Sequence, residues 1–591
     1  MVPEPVEGWF LSLSKGSMGA TLITFGTAPI IELFMGVNMK ITKKMIAGAA
    51  ALTVAACGFA QDWDDGFDSF DTASEPSFSI NGSAEVTARA YFEASDITGM
   101  DKQGRFEYED RPFFGEMKSE INPNGKLDLK YSGPNTDLNM KIKLNKYSLG
   151  DYKWDILDEF TACAYMGDFQ LEAGKMRVVW GKGDKIHVLD NFNANDYTDY
   201  IIPDYLDRRI AETMFRAVYS TPTNLRFEAI YAPMMTADRL ASSGLWIPKA
   251  SRKLTSTVEE MLTTPISSSM AGGTVTPTTI GALMNASSFD SNSLYPDTYQ
   301  LKYGQFGARS TFTIGSVDLG VSYYYGHNKQ PSANVKKLYN ATAAGVMNKT
   351  LDSILAIPEG DRGTSLGPEY AALTDTVIGM AKTELDRYEA ELPELEYDKV
   401  HVFGLEAAFI AGPLNTRWEA AYTLTDDIDG DDPWVHNNSI SWVAGFDFDV
   451  PHTNININIQ ENGRFVLNYD KIEDSEFSPF AGTSLDSLSS KFKASYKEFD
   501  VDYNAKDSAW NNKLIVNVTD TFNHEKIKLD IKGIWGIERG DVLVMPSVTF
   551  NLKDDFNLTL SGLYIWTNNE ESEFDGWERN SFAQIGCKYQ F

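Results

Sequence analysis

The last eight residues, Gln584-Ile585-Gly586-Cys587-Lys588-Tyr589-Gln590-Phe591, alternate strictly. Ile585, Cys587, Tyr589 and Phe591 fall on one face together with Ala583, while Gln584, Gly586, Lys588 and Gln590 fall on the other. One apolar and one polar face at a period of two is the mark of a half-buried β-strand. A single strand does not decide the fold. In a soluble sandwich the apolar face meets a second sheet; in a membrane barrel it meets lipid and the polar face lines a wet lumen. The decision rests on how often the pattern recurs and how the strands are joined.

It recurs from about Phe78 onward. In Thr453-Asn454-Ile455-Asn456-Ile457-Asn458-Ile459 isoleucine points one way and asparagine the other. Leu138, Met140, Ile142 and Leu144 alternate with Asn139, Lys141, Lys143 and Asn145; Ile527, Leu529 and Ile531 alternate with Lys528, Asp530 and Lys532; Phe556, Leu558 and Leu560 alternate with Asn557, Thr559 and Ser561. Aromatics gather near strand ends, as at Tyr131, Trp418, Tyr422, Trp442, Phe448, Trp535 and Trp566. Tight turns at 133–135, 167–168, 221–223, 315–316, 412–413, 451–452, 523–524 and 554–555 alternate with long polar links. A barrel with short turns at one rim and long loops at the other requires that alternation; a sandwich does not. The expected fold is therefore an all-β, antiparallel, up-and-down transmembrane barrel over residues 78–591. About 18 strands are expected, within a range of 16–20.

Other segments fit that frame. From Met39, Lys40, Lys43 and Lys44 precede the apolar run Met45–Ala56, and small residues follow at Gly58 and Ala60. The run is too short to span a bilayer and reads as the core of a signal peptide, 39–60, cleaved after Ala60. Val54-Ala55-Ala56-Cys57 offers a lipoprotein alternative at Cys57. Residues 1–38 read as an upstream extension, and 61–77 as an acidic segment. Inserts at 233–298 and 328–398 interrupt the ladder. The second reads partly as helix, notably Glu369 to Leu392, and at least one insert is expected to fold into the lumen.

Composition excludes several classes. With 43% hydrophobic residues the chain is no disordered protein. A formal charge of -31 argues against nucleic acid as a partner. Cys57, Cys163 and Cys587 lack metal-ligand spacing, and none of the six histidines sits in a nucleophile motif, so neither an enzyme nor a cofactor is expected. Asp427, Asp429 and Asp431 are spaced like the start of a calcium loop, but no bidentate Glu follows at the twelfth position.

Two resemblances sharpen the expectation. Gln584, Gly586, Tyr589 and Phe591 match the pattern of the β-signal read by the outer-membrane assembly machinery, which implies that machinery and outer-membrane lipid as partners. Gly174-Lys175-Met176-Arg177-Val178-Val179-Trp180-Gly181-Lys182-Gly183, followed by Asp190, Asn191, Asn195 and Asp196, resembles a motif of uncharacterised porin-like and alginate-export-type porin families. That resemblance implies a porin-type barrel passing small hydrophilic solutes. The apolar phase shifts between Leu171 and Met176, so a β-bulge is expected near Gly174.

Strand phase then assigns the lumen. Lys126, Lys130, Lys141, Lys143, Arg216, Arg226, Arg417, Lys526, Lys528, Lys532 and Lys588 are expected to point inward, joined through the bulge by Lys175 and Arg177. Fewer acids share that phase: Asp128, Glu228, Glu406, Glu419, Asp447, Asp449 and Asp530. A basic wall in a confined channel attracts anions. The rival expectation is a structural or adhesive surface barrel with an occluded lumen.

Overall fold

The computed structural model describes residues 76–591 except 94–96, 101–105, 109–117, 151, 250, 253–266, 269–272, 275–293, 392–393, 473, 479–493, 503–507, 554 and 570. The expected export segment, the upstream extension, most of the acidic segment and much of the 233–298 insert lie outside the described residues.

Eighteen strands form one sheet. In chain order they are Ser77–Tyr91, Ser119–Ser132, Thr136–Asn145, Leu157–Met166, Phe169–Met176, Glu212–Ser220, Arg226–Ala232, Gln305–Ile314, Val317–His327, Lys399–Ala411, Leu414–Thr425, Ser439–Asp449, Asn456–Val466, Trp510–Phe522, Ile527–Gly536, Val542–Lys553, Phe556–Trp566 and Phe582–Gln590. Each pairs antiparallel with its neighbours in sequence. The first closes on the last, in register from Ser83 opposite Gln590 to Tyr91 opposite Phe582. Closure removes the unpaired edge that neither water-free lipid nor a soluble protein tolerates well.

The seam depends on one glycine. Gly82 and Phe591 exchange both backbone hydrogen bonds, at 2.9 and 3.0 Å. The Phe591 ring lies where a Cβ on Gly82 would stand, 2.3 Å from it. Gln584, Gly586 and Tyr589 face Arg89, Thr87 and Ala84 across the same seam.

Alternation sorts the two faces. Phe78, Ile80, Val86, Ile121, Leu405, Tyr564 and Ile585 are all exposed on the exterior, whereas the interior rows carry Asn, Thr, Lys, Arg, Asp and Glu. Such an apolar belt around a closed barrel is a lipid-facing surface; the protein is a transmembrane β-barrel of the outer-membrane type. No helix among the described residues is long and apolar enough to cross a membrane, so the crossing is made by strands. The short joints, at 133–135, 167–168, 221–225, 315–316, 412–413, 450–455, 523–526 and between Lys553 and Phe556, all lie at one rim.

Two local expectations are corrected. There is no bulge at Gly174. The ladder runs unshifted from Met166 opposite Phe169 to Phe160 opposite Lys175. Instead Gly174 takes φ +142, where a Cβ would meet the Phe160 carbonyl oxygen at 2.0 Å. The register shifts lie elsewhere, at Lys141/Ile142 and Asn551/Lys553. Gly174→Val is expected to lose about 1–3 kcal/mol of stability, read as a lower urea midpoint; an unchanged midpoint would contradict this account of the strand.

The helical insert is larger than expected and begins its second helix later. Val335–Leu355 and Asp375–Ala390 pack together through Ala344, Met347, Leu351, Ile378 and Leu385. Glu369 lies in the preceding 3-10 turn, Pro368–Ala372, and the Thr374 hydroxyl caps the second helix by accepting from Val377 N. The hairpin rests on the long-loop rim: Val335 and Tyr339 pack against Trp434, Phe477, Tyr496 and Phe499.

Candidate constriction and luminal wall

Residues 177–211 join the strands Phe169–Met176 and Glu212–Ser220, and they turn into the barrel. Val178, Trp180, Leu189 and Phe192 are buried against Met214, Ile230, Tyr324, Val400, Val402 and Ala421, residues on the inward phase of their strands. This part of the lumen is a dry core. Burying side chains of this size stabilises by roughly 1.5–3 kcal/mol each, which explains how an irregular loop is held inside a barrel. Gly307 makes room, since a Cβ there would meet the Phe192 and Trp180 rings at 2.7 Å.

Beyond the core a single carboxylate holds the loop. The Glu419 side chain is 0% exposed. It accepts from Gly183 N at 2.6 Å, His187 Nδ1 at 2.8 Å and Val188 N at 2.9 Å. Gln460 Nε2 donates to the Asp184 carbonyl at 2.8 Å, and Arg417 reaches Asp184 at 3.7 Å and Asp447 at 3.2 Å. The return arm meets other strands. Arg89 donates to both oxygens of Asp199 at 2.7 and 3.0 Å. Lys126 pairs with Asp207, whose carbonyl accepts from Lys143 at 3.2 Å. Within the arm, Asp190 accepts from Tyr205 and pairs with Arg209 at 2.7 Å. Contacts on so many strands make residues 177–211 a constriction that spans the lumen.

A second segment also turns inward. Ala241, Leu245 and Trp246 join Tyr200 and the luminal residues Tyr91, Leu543, Leu563, Ile565 and Phe582. Tyr200 stacks on Trp246 with centroids 5.2 Å apart, and Asn580 Nδ2 donates to Leu245 O at 2.8 Å. So the described start of the 233–298 insert enters the lumen, while the helical insert packs on the outer loops.

The sequence-assigned lysines and arginines divide into groups. Lys126, Lys130, Lys141 and Lys143 share the inward face of two strands. Lys141 pairs with Glu159 at 2.6 Å, and Arg216 sits between Glu172 at 3.0 Å and Glu228 at 2.7 Å. Arg177, at the root of the loop, binds Asp158 and Glu159. Arg226, Lys528, Lys532 and Lys588 lie on the inward phase, with no ion pair among the described residues. Lys526 falls in the turn before its strand. Lys175 does not join them: without a bulge it shares the outward face with Phe160, and its ammonium donates to Trp154 O at 3.2 Å and Leu157 O at 2.7 Å.

Several luminal acids escaped the sequence reading. Glu159 and Glu172 sit on the polar phase of their strands and were findable there. Asp184, Asp199, Asp204 and Asp207 belong to the loop, and no periodicity reveals where a loop goes. The acids at 427–432 form a turn: Asp427 accepts from Gly430 N at 2.9 Å and Asp432 N at 3.0 Å. Among the described residues no three His, Cys, Asp or Glu side chains are grouped to hold a metal.

No curated protein matches the chain. Among solved structures, it is similar to OmpT, an outer membrane protein of Vibrio cholerae (8% identity, TM-score 0.31, covering 89% of this chain and 100% of that one). It is also similar to a BenF-like porin from Pseudomonas fluorescens Pf-5 (7%, 0.39, 87% and 98%) and to OccK5 (OpdH) of Pseudomonas aeruginosa (9%, 0.36, 86% and 98%). Residues 164–591 match the family described as "Protein of unknown function (DUF1302)", and the chain belongs to that family.

Proposed function

We propose that this barrel is a passive channel for small hydrophilic solutes and that it prefers anions. One observation carries the reading. Where the loop 177–211 narrows the lumen, three bases, Lys143, Arg208 and Lys532, have no carboxylate at ion-pair distance among the described residues, against one such acid there, Asp530 beside Lys532. Fixed charge of one sign in a narrow, low-dielectric passage concentrates counter-ions. The N-terminal signal at 39–60 would deliver the chain to the periplasm, and Gln584, Gly586, Tyr589 and Phe591 would present it to the assembly machinery.

Lys532→Glu is expected to shift the reversal potential toward cation preference without changing the folded yield; an unshifted potential would remove Lys532 from the passage. The rival reading is a structural or adhesive barrel, favoured by the aromatic contact of Tyr200 with Trp246 near the mouth and by the outer helical hairpin. Liposome swelling separates the two. Swelling in small sugars and organic acids supports the channel, and intact, oriented liposomes that do not swell support the adhesive barrel.

A further inference from the structure

Most arginines of the lumen are committed to carboxylates. Arg89 holds Asp199, Arg209 holds Asp190, Arg216 holds Glu172 and Glu228, and Arg309 holds Glu406. Arg208 is different. It ends the short turn Tyr205–Arg208 on the inward loop and lines a cleft with Lys143, Arg177 and Arg239 and with the acids Asp155, Asp158, Asp196 and Asp207. Its Nε is buried without an acceptor, and no carboxylate among the described residues pairs with it. Lys532 is not among the residues lining that cleft but lies close enough to Asp204, Asp530, Lys185 and Arg208 to interact with their charges.

The nearby acids are already engaged, Asp204 by Lys185 at 3.2 Å and Asp207 by Lys126. Asp158 is held by Arg177, and Asp155 and Asp196 by Arg239, so Lys143 and Arg208 are left without a carboxylate at ion-pair distance. A half-buried guanidinium that no carboxylate answers is costly unless something anionic visits it. A guanidinium offers paired donors in a plane that match the two oxygens of a carboxylate or phosphate, and lysines on both flanks suit a second anionic group on the same solute.

We infer that the cleft around Arg208, between Lys143 and Lys532, is a binding station for a compact solute bearing two or more oxyanion charges, such as a dicarboxylate or a phosphate ester. The station rests on the channel reading above and goes beyond it: a merely anion-selective passage does not saturate, whereas a station does.

The test is single-channel recording in KCl with succinate, acetate or inorganic phosphate added. Succinate, phosphate or both should interrupt the chloride current in a saturable way, their ratio telling which oxyanion fits better, and acetate should interrupt it far less. Arg208→Ser is expected to cut the interruption frequency about tenfold, as loss of one charge-assisted bidentate contact implies. Arg208→Lys should keep anion selectivity but shorten each interruption, and Arg226→Ser, near the short-turn rim, should leave the interruptions unchanged. An anion-selective channel that no polyanion interrupts, or interruptions untouched in Arg208→Ser, would overturn the station while leaving the channel reading intact. A barrel with no conductance would overturn both.

Discussion

Glu419→Ala is expected to raise single-channel conductance severalfold while the barrel stays folded. The carboxylate is fully buried and accepts from Gly183 N, Val188 N and His187 Nδ1. Its removal orphans three donors, at about 1–3 kcal/mol each, and the loop relieves that cost by leaving the wall. Trp180, Leu189 and Phe192 lie in the dry core and keep the root of the loop in place, so the tip from Gly181 to Val188 is what swings free. Gly181 has φ +111, and a Cβ there would lie 2.1 Å from Glu419 Oε1, so this tip conformation is built around the carboxylate. Glu419→Gln keeps the shape but sets an amide N–H against one of the backbone donors, and an intermediate conductance is expected. Planar-bilayer recording checks both, and unchanged conductance in the alanine variant would show that Glu419 does not hold the constriction.

Arg89→Ala is expected to destabilise the barrel by about 3 kcal/mol, the lower end for breaking a buried ion pair. Arg89 is 3% exposed and ties three parts together. It donates to both Asp199 oxygens on the loop, to Gln584 Oε1 of the closing strand at 3.0 Å and to Tyr91 at 3.2 Å, with its guanidinium carbon 4.5 Å from the Phe582 ring centre. Its loss leaves Asp199 facing the lumen wall without its cation and loosens the seam beside it. The urea midpoint and the heat-modifiable gel shift both read the effect. In the double variant with Asp199→Ala the combined loss should fall short of the sum of the single losses, because the two side chains form one interaction. Simple additivity would show that the pair does not couple loop and seam.

The strands, the short turns and the closing seam were legible because each depends on local alternation. Ile585 and Tyr589 declare their face without reference to any other residue. The lumen was legible only by phase. Strand phase put Glu419 and Arg417 on the inward face, yet nothing in their neighbourhood says that Glu419 would meet Gly183 or Arg417 would meet Asp184, more than two hundred positions apart in the chain. Trp180, Leu189 and Phe192 carry no regular spacing, so the dry core they build was hidden, and the Trp-Gly motif gave only its neighbourhood. Lys175 was misplaced for a definite reason: the apolar Met176 was read as lying on the lipid side after an inserted residue, when the ladder is unshifted and Met176 faces inward into the dry core. The basic wall was also over-counted, because Lys141, Arg216 and Arg417 are answered by acids on neighbouring strands or on the inward loop. At the constriction that wall is reduced to Lys143 and Lys532, joined by Arg208, which strand phase could not assign because it lies on the loop.

The most direct test of that positive constriction is the reversal potential of the unaltered protein across a bilayer in a KCl gradient. The arrangement of Lys143, Arg208 and Lys532 beside the inward loop predicts a potential displaced toward the chloride equilibrium value, with the preference weakening as salt screens the fixed charges. A potential displaced toward the potassium value would contradict it.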